Sequence, residues 1–489
     1  MIRYNNRYDY RYDCRSRVSG NHRRYHRVII KRIVVGGLCV SLAAVVFAGG
    51  RLLLNNNMNG MNTGFQAGEL NQSADAGEPA SADPEIRIEA DEDIIIETRA
   101  ESLLEEAAAL AAGYYYDPAI ELLQSDPALA GEEVIRQAVA EYEAIKETLV
   151  PVNYQEVTHI FFHSLIMDNR KAFDSDYTAA GYNQVMTTGN EFIKIMEAMY
   201  EKGYVLVRLR DIAYETIDEN GNPVMTAGNI MLPPGKKAFV ISQDDVNYYT
   251  YMDGDGFASR IVVGEDGKPT CEMLMEDGSI SVGAYDLVPL LEDFIQEHPD
   301  FSYQGARAVL ALTGYEGILG YRTAASYADS PTYEQDREDA ARVARCLKDN
   351  GWELASHSWG HPDLGAVSYE RFKTDSDKWE REVETLIGPT DIIIYPFGAD
   401  VGDWRPYAAG NERFNYLYSL GFRYFCNVDS NPYWVQLEDR YLRQGRRNLD
   451  GYRMWKDITA EDPARRKLDD LFRAEDIFDG DRPTPVAEM

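Results

Sequence analysis

The sequence predicts an α/β protein built from alternating strands and helices. From Gln155 to about residue 460, short apolar, β-branched runs alternate with amphipathic stretches of helical period. Acidic residues or histidines directly follow several of these runs. The alternation fits either a β/α barrel or a doubly wound sheet. In both folds, functional groups collect at the carboxyl ends of the strands.

The N-terminal region has the composition of a membrane-targeting segment. Residues 1–32 are basic and lack apolar periodicity, which predicts a disordered cytoplasmic tail. Residues 33–50 carry no charge and are just long enough to cross a bilayer, so we expect a transmembrane anchor there. The alternative is a cleaved signal peptide, because Ala48-Gly49-Gly50 supplies the small residues that a peptidase needs. Both interpretations place everything after Arg51 outside the cytoplasm.

Three further regions are predicted from composition. Residues 51–97 form an acidic, low-complexity linker, expected to be disordered. Residues 98–150 are rich in Ala, Glu and Leu at helical spacing and form a helical spacer, which either packs on the next domain or stands apart from it. Residues 151–460 are expected to form the main α/β domain, and residues 461–489 are expected to be a polar tail.

Within residues 151–460, the pattern predicts the positions of the main elements. Asp-Gly turns between residues 253 and 278 predict β-hairpins. The expected helices are Asn190–Lys202, Tyr285–Glu297, Glu334–Asn350, Tyr369–Ile387 and Asn411–Leu420. The expected strands are Val157–His163, Tyr204–Val207, Phe239–Ser242, Ala308–Leu312, Trp352–Ala355, Asp391–Tyr395 and Phe422–Asn427.

Charge and cysteine content exclude several classes of function. The formal net charge of −32 includes a basic N-terminus, so the rest of the chain is more acidic than the total suggests. Such a body would repel phosphate, which argues against a nucleic-acid partner. The five cysteines are scattered without a CxxC pair, and only three lie in the body. This excludes a disulfide scaffold and disfavours a thiolate metal site.

Two groups of polar residues at predicted strand ends suggest a divalent metal site. Asp244 and Asp245 follow one apolar run, and His357 and His361 follow another. A His-His-Asp set leaves an open coordination position for water, and the second carboxylate would act as a base on that water. Taken separately, the acidic pair could form a turn and the histidines could lie on the surface. Both carboxylates can face one site only if the strand has ended or bulged at that point.

These residues resemble motifs of the polysaccharide deacetylases, carbohydrate esterase family four. Gln243-Asp244-Asp245 is similar to the first motif of that family, and His357-Ser-Trp-Gly-His361 to the second. Tyr395-Pro396-Phe397-Gly398 is similar to the third motif, and Asp429 with Trp434 to the fourth. The resemblance covers roughly Gln155 to Lys456. It implies a distorted (β/α)7 barrel and metal-dependent removal of N-acetyl groups.

The resemblance also implies roles for individual residues. Asp245, His357 and His361 would bind the metal, with Zn²⁺ the expected ion, and Asp244 would be the general base. Tyr395, Pro396, Phe397, Asp429 and Trp434 would lie on the substrate and oxyanion side, with the backbone amide near Phe397 helping to hold the oxyanion.

The sequence departs from the family pattern in three ways. Ser242-Gln243 stands where the first motif has Thr-Phe, which leaves the two carboxylates intact. Ile394 occupies the position of the third-motif arginine that steadies the base, so Arg322 or Arg446 would have to supply that charge. The fifth-motif histidine, the general acid, is missing after Asp429. However, Ile160-Phe-Phe-His163 fits that motif and precedes the first. This order implies a circularly permuted member with His163 as the acid.

The expected function is therefore metal-dependent hydrolysis of N-acetyl groups on an extracellular amino-sugar polymer of the cell wall. Peptidoglycan and poly-N-acetylglucosamine are the candidate substrates, and the enzyme would sit on the cell membrane or be secreted. The alternative is a catalytically weak carbohydrate-binding or scaffolding protein that retains the fold. Glycoside hydrolysis is disfavoured, because it needs two acids separated across a sugar rather than adjacent carboxylates.

Overall fold

The structure is a computed structural model that describes residues 84–429 and 431–488, with side chains at Ile96 and from residue 98 onwards. The chain divides into a unit of residues 1–93 and a compact unit of residues 94–489. The predicted basic tail, the predicted anchor at 33–50 and the predicted linker up to residue 83 lie outside the described residues. Among the helices that the structure describes, none combines the length and apolar character needed to span a membrane.

Seven parallel strands close into a barrel, as the family resemblance implies. Chain order is also the order around the ring, and the last strand pairs with the first. The strands are β1 (Thr158–Phe162), β2 (Lys237–Gln243), β3 (Val309–Leu312), β4 (Glu353–Ser356), β5 (Ile392–Ile394), β6 (Tyr424–Val428) and β7 (Tyr441–Asn448).

The barrel is irregular at two places. A short strand, Tyr204–Leu206, pairs with the first half of β2, while β3 pairs with its second half. Between β6 and β7 the connection is a strand, Val435–Glu438, which runs antiparallel to β7. These features make the barrel a distorted version of the regular β/α arrangement.

Side chains alternate between the inside of the barrel and the layer of surrounding helices. Ile241, Leu310 and Phe425 belong to the apolar cluster that packs against the helices, whereas Val240 and Ile394 belong to a second cluster inside the ring. The helices are Gly189–Glu201, Leu287–Glu297, Tyr333–Asp349, Tyr369–Trp379, which continues to Ile387, Glu412–Ser419 and Gly451–Ile458.

Strand β7 is absent from the sequence prediction. Its residues Tyr441–Asn448 include three arginines, one glutamine and one glycine, which is not the apolar run typical of a buried parallel strand. In the fold, all its residues before Asn448 are nevertheless buried. The strand is stable there because its arginines bind carboxylates elsewhere in the fold: Arg443 binds Asp400, Arg446 binds Asp244 and Arg447 binds Asp470.

Several short strands and helices lie outside the barrel. Two of the three predicted Asp-Gly hairpins are confirmed, at residues 264–267 and 276–278, in an antiparallel sheet of Arg260–Val263, Pro269–Leu274 and Ile280–Gly283. The turn at residues 253–256 follows the short helical turn Thr250–Met252 and joins no pair of strands. Two further pairs are Val150–Pro151 with Met231–Leu232 and Ala213–Ile217 with Pro223–Ala227. Short helices span Asn169–Ala172, Ala179–Val185, Leu209–Ile212 and Ala474–Ile477.

The region before the barrel is helical, but the helices begin earlier than predicted. They are Pro84–Ala112, Tyr116–Gln124 and Glu133–Thr148. The prediction of a disordered linker up to residue 97 is therefore wrong from residue 84. The helices also pack on the barrel domain, since the Tyr114 hydroxyl donates a hydrogen bond to the carbonyl of Asp300 at 2.7 Å.

The prediction of a polar tail at residues 461–489 is also wrong. Leu468, Leu471 and Phe472 are buried in the core. Arg482 is fully buried and binds Glu191, itself fully buried, through Nε at 2.6 Å. Charged and polar residues outnumber the apolar ones in this segment, and the carboxylate that binds its buried Arg482 is distant in sequence.

Candidate functional site

The predicted site residues lie together at the carboxyl end of the barrel. Asp244 and Asp245 directly follow β2, His357 directly follows β4, and His163 directly follows β1. These connections all open on the same rim, because the strands are parallel.

Asp245, His357 and His361 form one cluster. Their candidate ligand atoms all lie within 4.8 Å of one another. Oδ2 of Asp245 is 4.0 Å from Nε2 of His357 and 3.7 Å from Nε2 of His361. Tetrahedral zinc with bonds of about 2.1 Å separates its ligand atoms by about 3.4 Å. The ligand atoms would therefore need to move only slightly closer together to bind the ion.

Local backbone conformation explains how two neighbouring carboxylates face one site. Asp245 has a φ of 56° and His361 a φ of 51°, both in the left-handed region. The turn at Asp245 ends the strand alternation, so its side chain does not point away from that of Asp244. Such conformations are costly for residues other than glycine and are concentrated at functional sites.

Neighbouring groups fix the orientation of the candidate ligands. Nδ1 of His357 donates a hydrogen bond to the carbonyl of Ile394 at 2.8 Å, which leaves the Nε2 lone pair facing the cluster. The Tyr249 hydroxyl donates to Oδ1 of Asp245 at 2.6 Å. Asp375 accepts hydrogen bonds from the backbone amides of Trp359 and Gly360, which lie between the two histidines. One carboxylate and two imidazoles, with the tautomer of His357 fixed, are a set of ligands that fits a divalent cation such as Zn²⁺.

Arg446 on β7 is the cation that pairs with Asp244. Its two terminal nitrogens donate hydrogen bonds to the two carboxylate oxygens at 2.7 and 2.9 Å, and both side chains are buried. The guanidinium also lies over the ring of Phe161, 4.2 Å from its centroid. Arg322, the other candidate, instead donates to the carbonyl of Tyr248 at 2.7 Å. The structure thus places Arg446, rather than Arg322, beside Asp244.

The charges around the site keep its carboxylates ionised and a histidine neutral. Burial raises the pKa of Asp244, but Arg446 and His357 lower it by more, so that its pKa is about 2. Burial likewise raises the pKa of Asp245, and His361 and His357 reverse this effect, leaving it below the ordinary value. Burial lowers the pKa of His361, which favours the neutral imidazole that binds metals.

His163 faces the site from β1. Its Nδ1 donates a hydrogen bond to the carbonyl of Val185 at 3.1 Å. Its charge acts on Asp244 and Asp245, and also on Asp450, a buried carboxylate after β7. Burial raises the pKa of Asp450, partly offset by hydrogen bonds and by His163. His163 therefore lies near both carboxylates that follow β2 and near Asp450 after β7.

The third-motif segment contributes one exposed side chain to the rim. Phe397 is 65% exposed, and its ring centroid lies 4.5 Å from that of His361. Pro396 is buried. Tyr395 is also buried, and its hydroxyl lies 3.1 Å from that of Tyr407, so its side chain belongs to the core rather than to the substrate side.

The fourth-motif residues have their contacts away from the metal cluster. Oδ1 of Asp429 accepts hydrogen bonds from the backbone and side chain of Asn431 in its own loop. The Trp434 ring packs on Arg443, which binds Asp400. The substrate-side roles of Asp429 and Trp434 that the resemblance implies stay predictions.

Several supporting residues escaped the sequence prediction. Tyr249 could have been noticed, because it follows Asp245 by four residues in the same loop. Asp375 and Asp450 gave only the signals of ordinary helix residues, and Asp450 does cap a helix by accepting from the amide of Arg453. Their proximity to the site depends on the closure of the barrel.

Comparison with known proteins links this geometry to a family. The sequence profile of the polysaccharide deacetylase family matches residues 324–419, which include His357, His361 and the third-motif segment. No curated protein sequence matches the chain.

Two solved structures are similar to part of this chain. A Streptococcus pyogenes deacetylase in complex with acetate is 13% identical, with 61% of this chain and 93% of that chain covered at a TM-score of 0.32. A polysaccharide deacetylase from Bacillus cereus is 12% identical, with 61% and 65% covered at a TM-score of 0.31. The profile match makes residues 324–419 of this chain similar to the polysaccharide deacetylase family.

Proposed function

We propose that the chain hydrolyses N-acetyl groups of an amino-sugar polymer outside the cell, with a divalent metal ion, Zn²⁺, as cofactor. The observation that carries this proposal is the convergence of three metal-ligand side chains with Asp244, which is ionised and held by Arg446. Asp245 belongs to the ligand cluster, and the adjacent Asp244 binds Arg446. Two adjacent carboxylates with these partners suit metal-dependent hydrolysis better than glycoside cleavage, which needs two separated acids.

In the proposed hydrolysis, Asp244 and His163 have separate proton-transfer roles beside the metal cluster. A bound divalent ion would polarise the acetamide carbonyl and lower the pKa of water. Asp244 has an oxygen 4.0 Å from Nε2 of His357, close enough to the cluster to take a proton from the attacking water. His163 faces the same carboxylates from β1. It would donate a proton to the leaving amine as the carbon–nitrogen bond breaks.

The location of His163 supports a permuted arrangement of the barrel. Strand β1 lies between β7 and β2 in the ring, so His163 is adjacent to the strands that carry Arg446 and Asp244. A closed ring places the first strand beside the last, which is where a fifth-motif strand would lie. The acid can therefore precede the base in sequence and still face it.

The substrate is proposed to be a chain of N-acetylated sugars of the peptidoglycan or poly-N-acetylglucosamine type. The exposed ring of Phe397 borders the cluster at His361 and would stack on the apolar face of a sugar. Protein from residue 51 onwards would be exported by the apolar segment at 33–50, either as a membrane anchor or as a cleaved signal. The proposal of export is supported by the sequence pattern of residues 33–50 alone.

Acetate release from a panel of N-acetylated glycans tests the proposal. The full chain should release acetate from at least one glycan, lose that activity on chelation and regain it with Zn²⁺. The Asp245→Asn variant should remain inactive at any Zn²⁺ concentration, which controls for contaminating hydrolases. Full activity after chelation would refute the metal-dependent mechanism. Membrane fractionation and protease accessibility of intact cells test the location.

The alternative of a catalytically weak glycan-binding protein has lost its main support. That interpretation rested on Ile394, which stands where the family has an arginine. Arg446 provides the missing guanidinium from β7 and binds both oxygens of Asp244. Binding of a glycan by the metal-loaded protein with no acetate release would nevertheless favour it.

A further inference from the structure

A column of buried polar side chains lies inside the barrel beneath the proposed base. His159 on β1, Ser242 on β2 and Gln444 on β7 are all at most 1% exposed. Inside an apolar barrel such groups are costly unless they are hydrogen-bonded. His159 is not among the site residues predicted from the sequence, and it takes no part in the proposed hydrolysis steps.

The hydrogen bonds of this column have only one consistent direction. Nε2 of Gln444 donates to the carbonyl of Val157 at 2.9 Å, which turns Oε1 of the same amide towards Nδ1 of His159, 3.2 Å away. An amide oxygen only accepts, so His159 must carry its proton on Nδ1. Nε2 of His159 is then an acceptor if the ring is neutral.

The neutral ring sets the orientation of Ser242. Its Oγ lies 2.9 Å from Nε2 of His159 and 3.1 Å from Nη1 of Arg446. Because the guanidinium can only donate, the serine hydroxyl proton points to His159 and its lone pair faces Arg446. Burial and the neighbouring Arg446 both lower the pKa of His159, in agreement with a neutral ring.

The chain of contacts ends at the proposed base. The Nη1 group that donates to Ser242 also donates to Oδ1 of Asp244 at 2.7 Å, and Nη2 donates to Oδ2 at 2.9 Å. We propose that His159 and Ser242 are positioning residues for the deacetylation reaction, which fix the rotation of the Arg446 guanidinium and through it the Asp244 carboxylate. This inference rests on the proposed function.

Substitutions along the column distinguish a positioning role in catalysis from a role in protein stability alone. In His159→Leu and Ser242→Ala, kcat should fall about tenfold, with KM within about twofold and the bound metal unchanged, because the ligands are untouched. The double variant should be no slower than either single variant, since both interrupt the same chain. Ser242→Thr keeps the hydroxyl and should restore kcat. Ile392→Val, a buried change on β5, controls for a general loss of packing and should leave kcat unchanged.

Unchanged kcat in the two single variants would overturn the inference, as would fully additive losses in the double variant. A second measurement does not depend on activity. Nitrogen-15 NMR of histidine-labelled full-length protein, with His159→Leu used for assignment, should show a neutral His159 protonated on Nδ1. A doubly protonated ring, or a proton on Nε2, would also overturn it. If the wild type releases no acetate from any glycan, the proposed function fails while the NMR result still tests the column.

Discussion

Replacing Arg446 with methionine should destabilise the protein strongly, because it leaves the Asp244 carboxylate buried without a partner. Asp244 is 3% exposed and Arg446 is fully buried. The pKa of Asp244 is about 2 against an ordinary 3.8, which corresponds to roughly 2 kcal/mol at about 1.4 kcal/mol per pH unit. Loss of one partner also leaves the desolvation of the other uncompensated. Such losses cost about 3–5 kcal/mol, and we expect Arg446→Met to fall in this range.

A double-mutant cycle tests the reason for this loss. Asp244→Asn removes the buried charge, so in the Arg446→Met background it should recover about 2 kcal/mol or more of the free energy of unfolding. Arg342→Met provides the matched control. Arg342 binds Asp339 at the same 2.7 Å, but the two side chains are 56% and 26% exposed, and we expect a cost below about 1 kcal/mol.

Urea unfolding of the full chain at pH 7 in a chelator measures all of these variants, without a contribution from bound metal. Equal costs for Arg446→Met and Arg342→Met would refute the reasoning. Strict additivity of the Asp244→Asn and Arg446→Met losses would also refute it, since the two side chains would then not be energetically coupled.

Further predictions concern metal, proton transfer and pH. His357→Ala and His361→Ala should lose bound Zn²⁺ by elemental analysis, whereas Tyr249→Phe should keep it with an affinity about 10- to 100-fold weaker by titration. His163→Ala should retain metal while kcat for acetate release falls by about 10²-fold or more, and a near-normal rate would exclude His163 as the acid. His159 has a pKa well below 6.5 in the folded state, so below pH 6.5 the unfolded chain takes up a proton that the folded chain does not. Acidification should therefore destabilise the wild type relative to His159→Gln by up to about 1.4 kcal/mol per pH unit, measured by urea unfolding, and a pH-independent difference would contradict a neutral His159.

The predicted strands that carry apolar runs are all present in the structure, with small differences at their ends. Phe239–Ser242 was expected as a strand, and β2 spans Lys237–Gln243. Asp244, Asp245 and His357 could be located at the rim because they directly follow such runs, and parallel strands bring their carboxyl ends together. Local periodicity was sufficient for these elements because burial on both faces selects continuous apolar residues.

Strand β7 and the C-terminal segment could not be found in this way. Arg446 is separated from Asp244 by 202 positions, and Arg482 from Glu191 by 291. A buried arginine is stable only beside its carboxylate, and local pattern carries no information about a partner so far away. Polar composition therefore predicted exposed chain where the fold has core.

The sequence by itself determined the alternating strand and helix pattern, the acidic character of the body, and the identity of the three candidate metal ligands with Asp244. These properties depend on short-range periodicity and on residue chemistry. Only the tertiary structure decided that Arg446 pairs with Asp244, and that His159 and Ser242 lie behind this pair. Both outcomes depend on ring closure between β7, β1 and β2, which brings together charges that are far apart along the chain.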